Sequence, residues 1–312
     1  MLNLSIVVPV YRSQMILEAL VLAIQNSLDN SRYLGRYELL LVNDGSPDES
    51  WSVIAALASR FPFVKGIDLR RNFGQHNATM AGLTLSGGDM VVIMDDDLQH
   101  PPDSICDLTA ALEAGADVCY TRYVGRKHSI FKIFGSKFND LVATVLLDKP
   151  KSLYLSSFKA LKKEVVAEVI KYDGPYAYLD GLILGVTRSI AVVDIHHQER
   201  HDGEGNYNLR RSISLWLKMA TSFSIIPLRL ATVLGFSLAV LSVIVIGLIG
   251  IQKLRHPDWP AGWASVMATV LFIGGVQTFC LGMMGEYLGR AYLKINKKPQ
   301  FSVRQLTWKA PP

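Results

Sequence analysis

Three consecutive carboxylates, Asp95, Asp96 and Asp97, follow a short apolar run over residues 90–94 (MVVIM). Such a run predicts a buried strand, along which side chains alternate, so Asp95 and Asp97 are expected to point one way and Asp96 the other. Mg²⁺ or Mn²⁺ typically takes one or two carboxylates and completes its shell with water and substrate phosphates. The pattern therefore predicts a metal site formed by Asp95 and Asp97, with a solvated acidic turn as the alternative.

The elements around this triplet alternate between strand and helix patterns. Apolar, β-branched runs predict strands over residues 4–10, 37–42, 63–69 and 117–121, and helical spacing predicts helices over 13–28, 51–60, 75–85 and 103–113. Asn72 is expected to cap the third helix. This alternation predicts a mainly parallel sheet with helices on both faces, and ligands bind such sheets at the carboxyl ends of the strands.

The composition restricts the classes of partner. The chain has 312 residues, 50% of them hydrophobic, and a net charge of +5. Its mean hydropathy is +0.24 and its pI is near 9.0. A basic chain of this kind suits an anionic partner, such as a nucleotide, a lipid phosphate or a membrane surface. No recognised nucleic-acid motif is present, so nucleic acid is not expected as a partner.

Four short motifs carry a family resemblance. They are residues 8–11 (VPVY), 42–46 (VNDGS), 71–74 (RNFG) and 95–102 (DDDLQHPP). In this order and spacing the chain resembles family-two glycosyltransferases of the GT-A fold. More narrowly, it resembles the polyprenyl-phosphate glycosyltransferases, relatives of dolichyl-phosphate mannose synthase and bacterial undecaprenyl-phosphate sugar transferases, over nearly its whole length.

The resemblance implies roles for particular residues. Pro9, Tyr11 and Asp44 would line a nucleoside pocket, although Asp44 also suits a turn or a helix cap. Asp95 and Asp97 would hold Mg²⁺ or Mn²⁺ at the donor diphosphate, neutralising charge as the leaving group departs. The remaining members of the expected donor site are Asp96, Gln99 and Arg200.

Arginines are candidate clamps for phosphate because their donors form a fork. Arg126 is expected to act in catalysis, within a basic and apolar segment over 120–140 that has the composition of an interfacial helix. An ordinary amphipathic helix packed on the sheet is the alternative for this segment. On position alone, Arg126 and Arg200 are equally compatible with surface residues, and residues 202–206 (DGEGN) have the flexibility of a lid.

The chain departs from the family pattern at two places. The family usually has Asn-Glu-Glu after the tyrosine of the first strand, whereas Arg12, Ser13 and Gln14 follow Tyr11 here. Many relatives place an Asp where this chain has Ser157. A carboxylate base is therefore not assumed, and Ser157 is expected to donate a hydrogen bond to sugar or phosphate, with a plain loop serine as the alternative.

The C-terminal third is apolar. Residues 230–252 and 259–285 are 23 and 27 consecutive uncharged residues, and about 20 apolar residues suffice to span a membrane. A two-span hairpin is therefore predicted, and the basic residues at its open ends place the catalytic domain in the cytoplasm. The glycines of the second span allow close packing in a homo-oligomer.

The predicted organisation has four parts. A GT-A catalytic domain occupies residues 1–208, an amphipathic juxtamembrane helix 209–228, the transmembrane hairpin 229–288 and a basic cytoplasmic tail 289–312. The predicted function is an inverting transfer of sugar from a nucleotide diphosphate sugar, with UDP favoured, to polyprenyl phosphate at the inner membrane for cell-envelope glycans. The alternatives are a catalytically altered scaffold or sugar-binding subunit, and a transferase that uses another acceptor.

Overall fold

A computed structural model describes residues 3–124, 150, 153–174, 177–196, 226–255, 262–296 and 299–309. The chain divides into two compact units. Unit 1 contains Met1–Tyr207 together with Lys297–Pro312, and unit 2 contains Asn208–Asn296. The last residues of the chain therefore belong to the same unit as the first ones.

The described residues of unit 1 form one sheet of eight strands. The strands in chain order are β1 Leu4–Val10, β2 Tyr37–Asn43, β3 Val64–Leu69, β4 Met90–Ile93, β5 Val118–Val124, β6 Lys159–Lys162, β7 Ile190–His196 and β8 Val303–Leu306. Their order across the sheet is β7-β5-β6-β4-β1-β2-β3-β8. The pairs formed among β1, β2, β3 and β4 are parallel, as is β5 with β7, while β6 and β8 pair antiparallel with their neighbours.

Helices connect these strands. In the described part of unit 1 they are α1 Leu17–Asp29, α2 Ser50–Arg60, α3 Gln75–Leu85, α4 Ile105–Glu113, α5 Lys163–Val169 and α6 Leu179–Val186, and a 3₁₀ turn lies over Pro102–Ser104. The first four helices confirm the predicted positions to within a few residues. Alternating strand and helix thus give the mostly parallel α/β sheet that the sequence predicts.

The sheet is covered on both faces. Ile6 and Val8 of β1 belong to one apolar cluster with residues of α1, α2 and α4. On the opposite face α3 lies so close to the sheet that a Cβ on Gly82 would come within 3 Å of Val7. Because both faces are covered, every residue of β1 and β2 is buried, as is usual for parallel strands in α/β proteins.

The outermost strand, β8, comes from the C-terminal tail. It pairs antiparallel with β3, with Ile67 opposite Leu306 and Leu69 opposite Val303. No strand is predicted there from the sequence, because four residues with two polar side chains give no recognisable period. The tail therefore completes a sheet whose neighbouring strand lies more than two hundred residues earlier.

Unit 2 contains two long helices, α7 Ile226–Arg255 and α8 Trp263–Ile295. Helix α7 covers the first uncharged stretch, residues 230–252, and α8 covers the second from residue 263 to residue 285. Among the described residues, none of the helices satisfies the combined length and apolarity expected of a membrane span.

Several predictions on loops differ from the structure or fall outside it. Residues 172–181 and 194–208 are predicted as loops, but Leu179 begins α6 and β7 continues to His196. Residues 120–124 of the predicted interfacial segment belong to β5, and residues 226–228 of the predicted juxtamembrane helix begin α7. The remainder of both segments and the predicted lid lie outside the described residues. Asn72 does not cap α3, because Gly74, with φ of 92°, precedes the first residue of that helix and no side chain caps it.

Candidate active site

A cleft of about 370 Å³ lies at the carboxyl ends of the central strands. Strands β1, β2 and β4 are parallel neighbours, so the residues after Val10, Asn43 and Ile93 meet at one edge of the sheet. The residues that line the cleft are Pro9, Val10, Tyr11, Asp44, Asn72, Gly74, Gln75, Asp95, Asp96 and Asp97. Six of the predicted site residues are thus brought together.

Asp95 is held by side chains from two other segments. Its Oδ1 accepts a hydrogen bond of 2.6 Å from Gln75 Nε2, at the first residue of α3. Its Oδ2 accepts one of 2.6 Å from Ser157 Oγ, in the segment just before β6. These two donors fix the orientation of the Asp95 carboxylate at the cleft surface.

His100 supports the same carboxylate from behind. The buried ring stacks on Phe158 with centroids 4.9 Å apart and planes 8° apart. Asp95 donates its backbone N–H to His100 Nδ1 at 3.0 Å, so the hydrogen of the neutral ring lies on Nε2. That nitrogen lies 3.4 Å from Ser157 Oγ and 3.7 Å from Asp95 Oδ2, so the imidazole, the hydroxyl and the carboxylate are in mutual contact.

Asp96 faces the same cleft as its two neighbours, so the expected alternation is wrong. The reason is that β4 ends at Ile93, and the three carboxylates lie in a bend beyond it. Asp96 Oδ2 accepts hydrogen bonds from Ser13 Oγ and from the backbone N–H of Tyr11, the latter at 3.3 Å. Burial raises the pKa of Asp96, and these hydrogen bonds oppose part of the shift. Asp96 therefore fixes the loop after β1, where the family pattern is altered.

Asp97 has fewer partners. Its Oδ1 accepts the backbone N–H of Gln99 at 3.2 Å, which places Gln99 beside it although Gln99 does not line the cleft. Within the described part of the chain, no group of three or more His, Cys, Asp or Glu residues could hold a metal ion.

Asp44 is buried and binds the opposite wall of the cleft. Its Oδ1 accepts the N–H of Phe73 at 2.7 Å, and its Oδ2 accepts the N–H of Gly74 at 2.9 Å. Burial raises the pKa of the Asp44 carboxyl, and the two backbone hydrogen bonds lower it in part. Its observed role is to hold loop 70–74, in addition to lining the predicted nucleoside pocket.

Loop 70–74 also packs directly against the turn after β2. Gly45 has φ of 61°, and a Cβ added there would lie within 3 Å of the backbone of Arg71 and Asn72. Only glycine combines this left-handed backbone with such a close approach. The wall of the cleft formed by this loop is therefore set by Asp44 and Gly45 together.

A buried ion pair lies next to the Ser157 segment. Lys159 Nζ contacts Asp180 Oδ1, and Tyr120 Oη donates to the same oxygen at 2.9 Å. The Lys159 ammonium also lies 4.9 Å from the centroid of the Tyr120 ring. Burial, followed by the Asp180 charge, raises the pKa of Tyr120 well above its ordinary value. This pair links β6 to the first turn of α6.

Some of the expected residues cannot be placed. Arg126 and Arg200 lie outside the described residues. Conversely, sequence reasoning assigned no role to Gln75 or His100, which both contact Asp95. His100 lies within one of the four motifs, which was the available signal, whereas nothing in the local sequence distinguishes Gln75.

Comparison with known proteins gives concordant matches. Residues 5–170 match Glycosyl transferase family 2, and residues 226–291 match the GtrB C-terminal hairpin family. An undecaprenyl-phosphate 4-deoxy-4-formamido-L-arabinose transferase of Shewanella sediminis is 32% identical over 97% of this chain and 92% of its own length. The protein of the same description from Enterobacter sp. is 31% identical over 97% of this chain and 93% of its own length.

A solved structure supports the fold. Glucosyl-3-phosphoglycerate synthase from Mycobacterium tuberculosis, in complex with Mn²⁺, UDP-glucose and phosphoglyceric acid, superimposes with a TM-score of 0.51. The superposition has 19% sequence identity and covers 70% of this chain and 77% of that one. The cleft thus lies in a sheet of the architecture seen in that synthase.

Proposed function

The chain belongs to glycosyl transferase family 2, and on that premise we propose that it moves a sugar from a nucleoside diphosphate sugar to polyprenyl phosphate. The acceptor follows from the curated relatives, which are described as undecaprenyl-phosphate transferases. A UDP-sugar is the favoured donor, since UDP-glucose is the donor bound in the structurally similar synthase. The observation that carries the proposal is the pair Asp95 and Asp97 in a cleft at the carboxyl ends of β1, β2 and β4.

The carboxylate ligands available in the cleft fit Mg²⁺ or Mn²⁺. Asp95 and Asp97 offer hard carboxylate oxygens and no sulfur or nitrogen, the ligand class that these ions prefer. Two protein carboxylates leave most of the coordination shell for water and diphosphate oxygens, as is common where the metal binds together with its substrate. A bound cation would neutralise the charge of the departing diphosphate.

In the proposed reaction, an oxygen of the acceptor phosphate forms a bond to the anomeric carbon of the sugar. The bond from that carbon to the diphosphate oxygen breaks, and its electron pair leaves with the nucleoside diphosphate. The second pKa of a phosphate monoester is about 6, so near pH 7 most of the acceptor is already the dianion. It has little proton to lose, which makes a hydroxyl at Ser157 compatible with turnover.

The described residues supply positioning and electrostatics for this step. Gln75 and Ser157 fix the rotamer of Asp95 from two sides, while Asp44 fixes the wall formed by loop 70–74. A site fixed before the substrate arrives avoids reorganisation during the reaction. Arg126 and Arg200 are proposed to bind the donor or lipid phosphate.

We also propose that residues 229–288 form a two-span membrane hairpin with the catalytic unit on the cytoplasmic side of the inner membrane. Its support is the match of residues 226–291 to the hairpin family and the two uncharged stretches of the sequence. At four glycines of α8, Gly274, Gly275, Gly282 and Gly285, an added Cβ would have no atom of another described segment within 4 Å, which leaves room for a second copy.

The direct test uses the full chain in detergent with Mn²⁺ or Mg²⁺. Release of UDP from a panel of UDP-sugars is measured with and without undecaprenyl phosphate. Release that requires the lipid phosphate, with a sugar-phospholipid product, supports the proposal. UDP release without the lipid, or none with any donor of the panel although UDP binds, would contradict it.

The hairpin is tested by replacing residues 209–296 with a flexible linker that keeps the C-terminal tail. A simple truncation would remove β8 as well, and so would confound two effects. The replacement variant should bind UDP as the full chain does but use long-chain polyprenyl phosphate poorly. Unchanged kinetics on the long-chain lipid would show that the hairpin does not present the acceptor.

A further inference from the structure

The C-terminal tail contacts the start of loop 70–74, which forms one wall of the cleft. The backbone N–H of Arg70 donates to the carbonyl of Ser302 at 2.9 Å. At the other end of β8, the N–H of Thr307 donates to the carbonyl of Gly66 at 3.1 Å, and Thr307 Oγ1 accepts from the Gly66 N–H at 2.8 Å. The tail thus holds β3 along its length, up to the residue where the loop begins.

Arg304 makes the contacts nearest the cleft. The register shifts at this point, because Asp68 lies opposite Gln305 and Leu69 opposite Val303, which leaves Arg304 as the extra residue. An irregularity of this kind turns a side chain away from the regular alternation of the strand. Arg304 Nη2 donates to the carbonyl of Arg70 at 2.8 Å, and its Nη1 lies 3.4 Å from Asp68 Oδ2.

Asp68 contacts both the Arg304 guanidinium and the side chain of Asn43 at the end of β2. The Asp68 carboxylate is almost fully buried, at 2% exposure, and its Oδ1 accepts from Asn43 Nδ2 at 2.8 Å. Asn43 precedes Asp44, which binds the backbone of Phe73 and Gly74. Arg304 therefore fixes the first residue of loop 70–74, while Asp44 fixes its last two.

We propose that Arg304 is a positioning residue for the donor site, so that the C-terminal strand is a part of the nucleotide pocket that acts through loop 70–74. This inference rests on the proposed function, because it takes the cleft as the site of the nucleoside diphosphate. Arg304 does not line the cleft itself. It acts by holding Asn72 and Gly74 of loop 70–74 in position, and these two residues line the cleft.

The test compares Arg304→Ala with a control in the same tail, just beyond the end of β8, Trp308→Ala. Trp308 packs on Lys65 at the opposite end of β3, with the ammonium 5.4 Å from the ring centroid. Binding of UDP in the presence of Mn²⁺ is measured by titration calorimetry on the full chain in detergent, and thermal unfolding is measured in parallel. Substitutions outside a site typically change coupling by about 0.5–2 kcal/mol, which is about 2- to 30-fold in affinity.

Arg304→Ala is expected to weaken UDP binding by that factor and to raise the KM for the donor, with kcat changed by less than about twofold. Trp308→Ala should lower the unfolding temperature without changing UDP affinity. Arg304→Lys keeps the charge near Asp68 but cannot make both contacts, so an intermediate affinity is expected. A graded loss across Ala, Lys and wild type would identify positioning rather than loss of fold.

Two failures are distinguishable. If the wild-type chain binds no UDP with Mn²⁺, the proposed function is wrong. If it binds UDP and Arg304→Ala binds it equally well, the cleft is a nucleotide site but Arg304 does not position it. Equal weakening by Arg304→Ala and Trp308→Ala would also overturn the inference, since the effect would then reflect general loosening of the tail. Should Arg304→Ala fail to fold, Arg304→Lys against Trp308→Ala decides by the same criterion.

Discussion

Ser157 Oγ lies 2.6 Å from Asp95 Oδ2, across 62 residues of sequence. The hydroxyl occupies the place where many relatives are expected to have a carboxylate, and it donates a hydrogen bond instead of adding a second negative charge. The hydroxyl therefore orients Asp95 without placing a further anion beside an anionic substrate.

Ser157→Ala is expected to remain active. It removes one hydrogen bond to a charged group, worth about 1.5 kcal/mol, so kcat/KM should fall roughly tenfold. The matched control is Ser156→Ala, whose hydroxyl bonds Thr121 Oγ1 at 2.8 Å and makes no contact with Asp95. Complete loss of turnover in folded Ser157→Ala would show that the serine takes part in the chemistry.

Asp97→Asn should lose about a thousandfold in turnover, because a carboxylate ligand contributes several kcal/mol through the metal. Asp103→Asn, at an exposed carboxylate of the following 3₁₀ turn, should stay within about twofold of wild type. A second measurement, UDP binding, does not depend on turnover. UDP affinity should depend on Mn²⁺ in wild type and not in Asp97→Asn, and an unchanged Mn²⁺ dependence would refute the ligand assignment.

Nucleotide affinity should fall in mild acid because of Asp44. Its pKa is raised by burial, so it takes up a proton before an ordinary Asp and then accepts less well from Phe73 and Gly74. A raised native pKa contributes stability below the unfolded pKa that is lost as pH rises through the native pKa. This carboxyl should therefore stabilise the fold in acid while the affinity for UDP declines.

The measurement for Asp44 is UDP titration from pH 7 down to about pH 4.5, above the ordinary Asp pKa. Asp44→Asn should bind UDP more weakly at pH 7 and show a shallower decline, since it has no proton to gain. Parallel declines in the two proteins would assign the acid effect to other carboxylates of the cleft.

Lys159→Met should destabilise unit 1 strongly. It leaves the buried Asp180 carboxylate without its cation, and breaking such a pair typically costs about 3–5 kcal/mol. The double variant Lys159→Met with Asp180→Leu should recover part of the unfolding temperature. Arg122→Met breaks an exposed ion pair with Asp194 and should change the unfolding temperature little. Equal effects of Lys159→Met and Arg122→Met would contradict the structural role of the buried pair.

Local patterns predicted the part of the site that follows single strands. The run over residues 4–10 is β1 as predicted, and Asp44 and Asp95 follow β2 and β4 because apolar runs mark those strands. Asp96 does not point away from Asp95 and Asp97 as expected, because the three carboxylates lie past the last hydrogen-bonded residue of β4. The side-chain period of a sequence does not show where β4 ends, because that end depends on the pairing of β4 with β6.

The contacts that were missed are long-range. Ser157 and Gln75 reach Asp95 from 62 and 20 residues away, and Arg304 reaches the carbonyl of Arg70 from 234 residues away. Strands β6 and β8 have four residues each, too few for a period of two to be distinguished from chance. Their identity depends on which partners the fold brings to them, which a local pattern does not encode.

If residues 229–288 form the proposed membrane hairpin, the pairing of β8 with β3 constrains how that hairpin can cross the bilayer. Both strands belong to one sheet, so the segment between them must leave and return on the same side. The number of crossings is therefore even. If only one of the two long helices were inserted, the C-terminal tail would lie in the opposite compartment from the rest of unit 1. Such a half-inserted chain could not complete its sheet, which couples correct insertion of the helices to a finished catalytic unit.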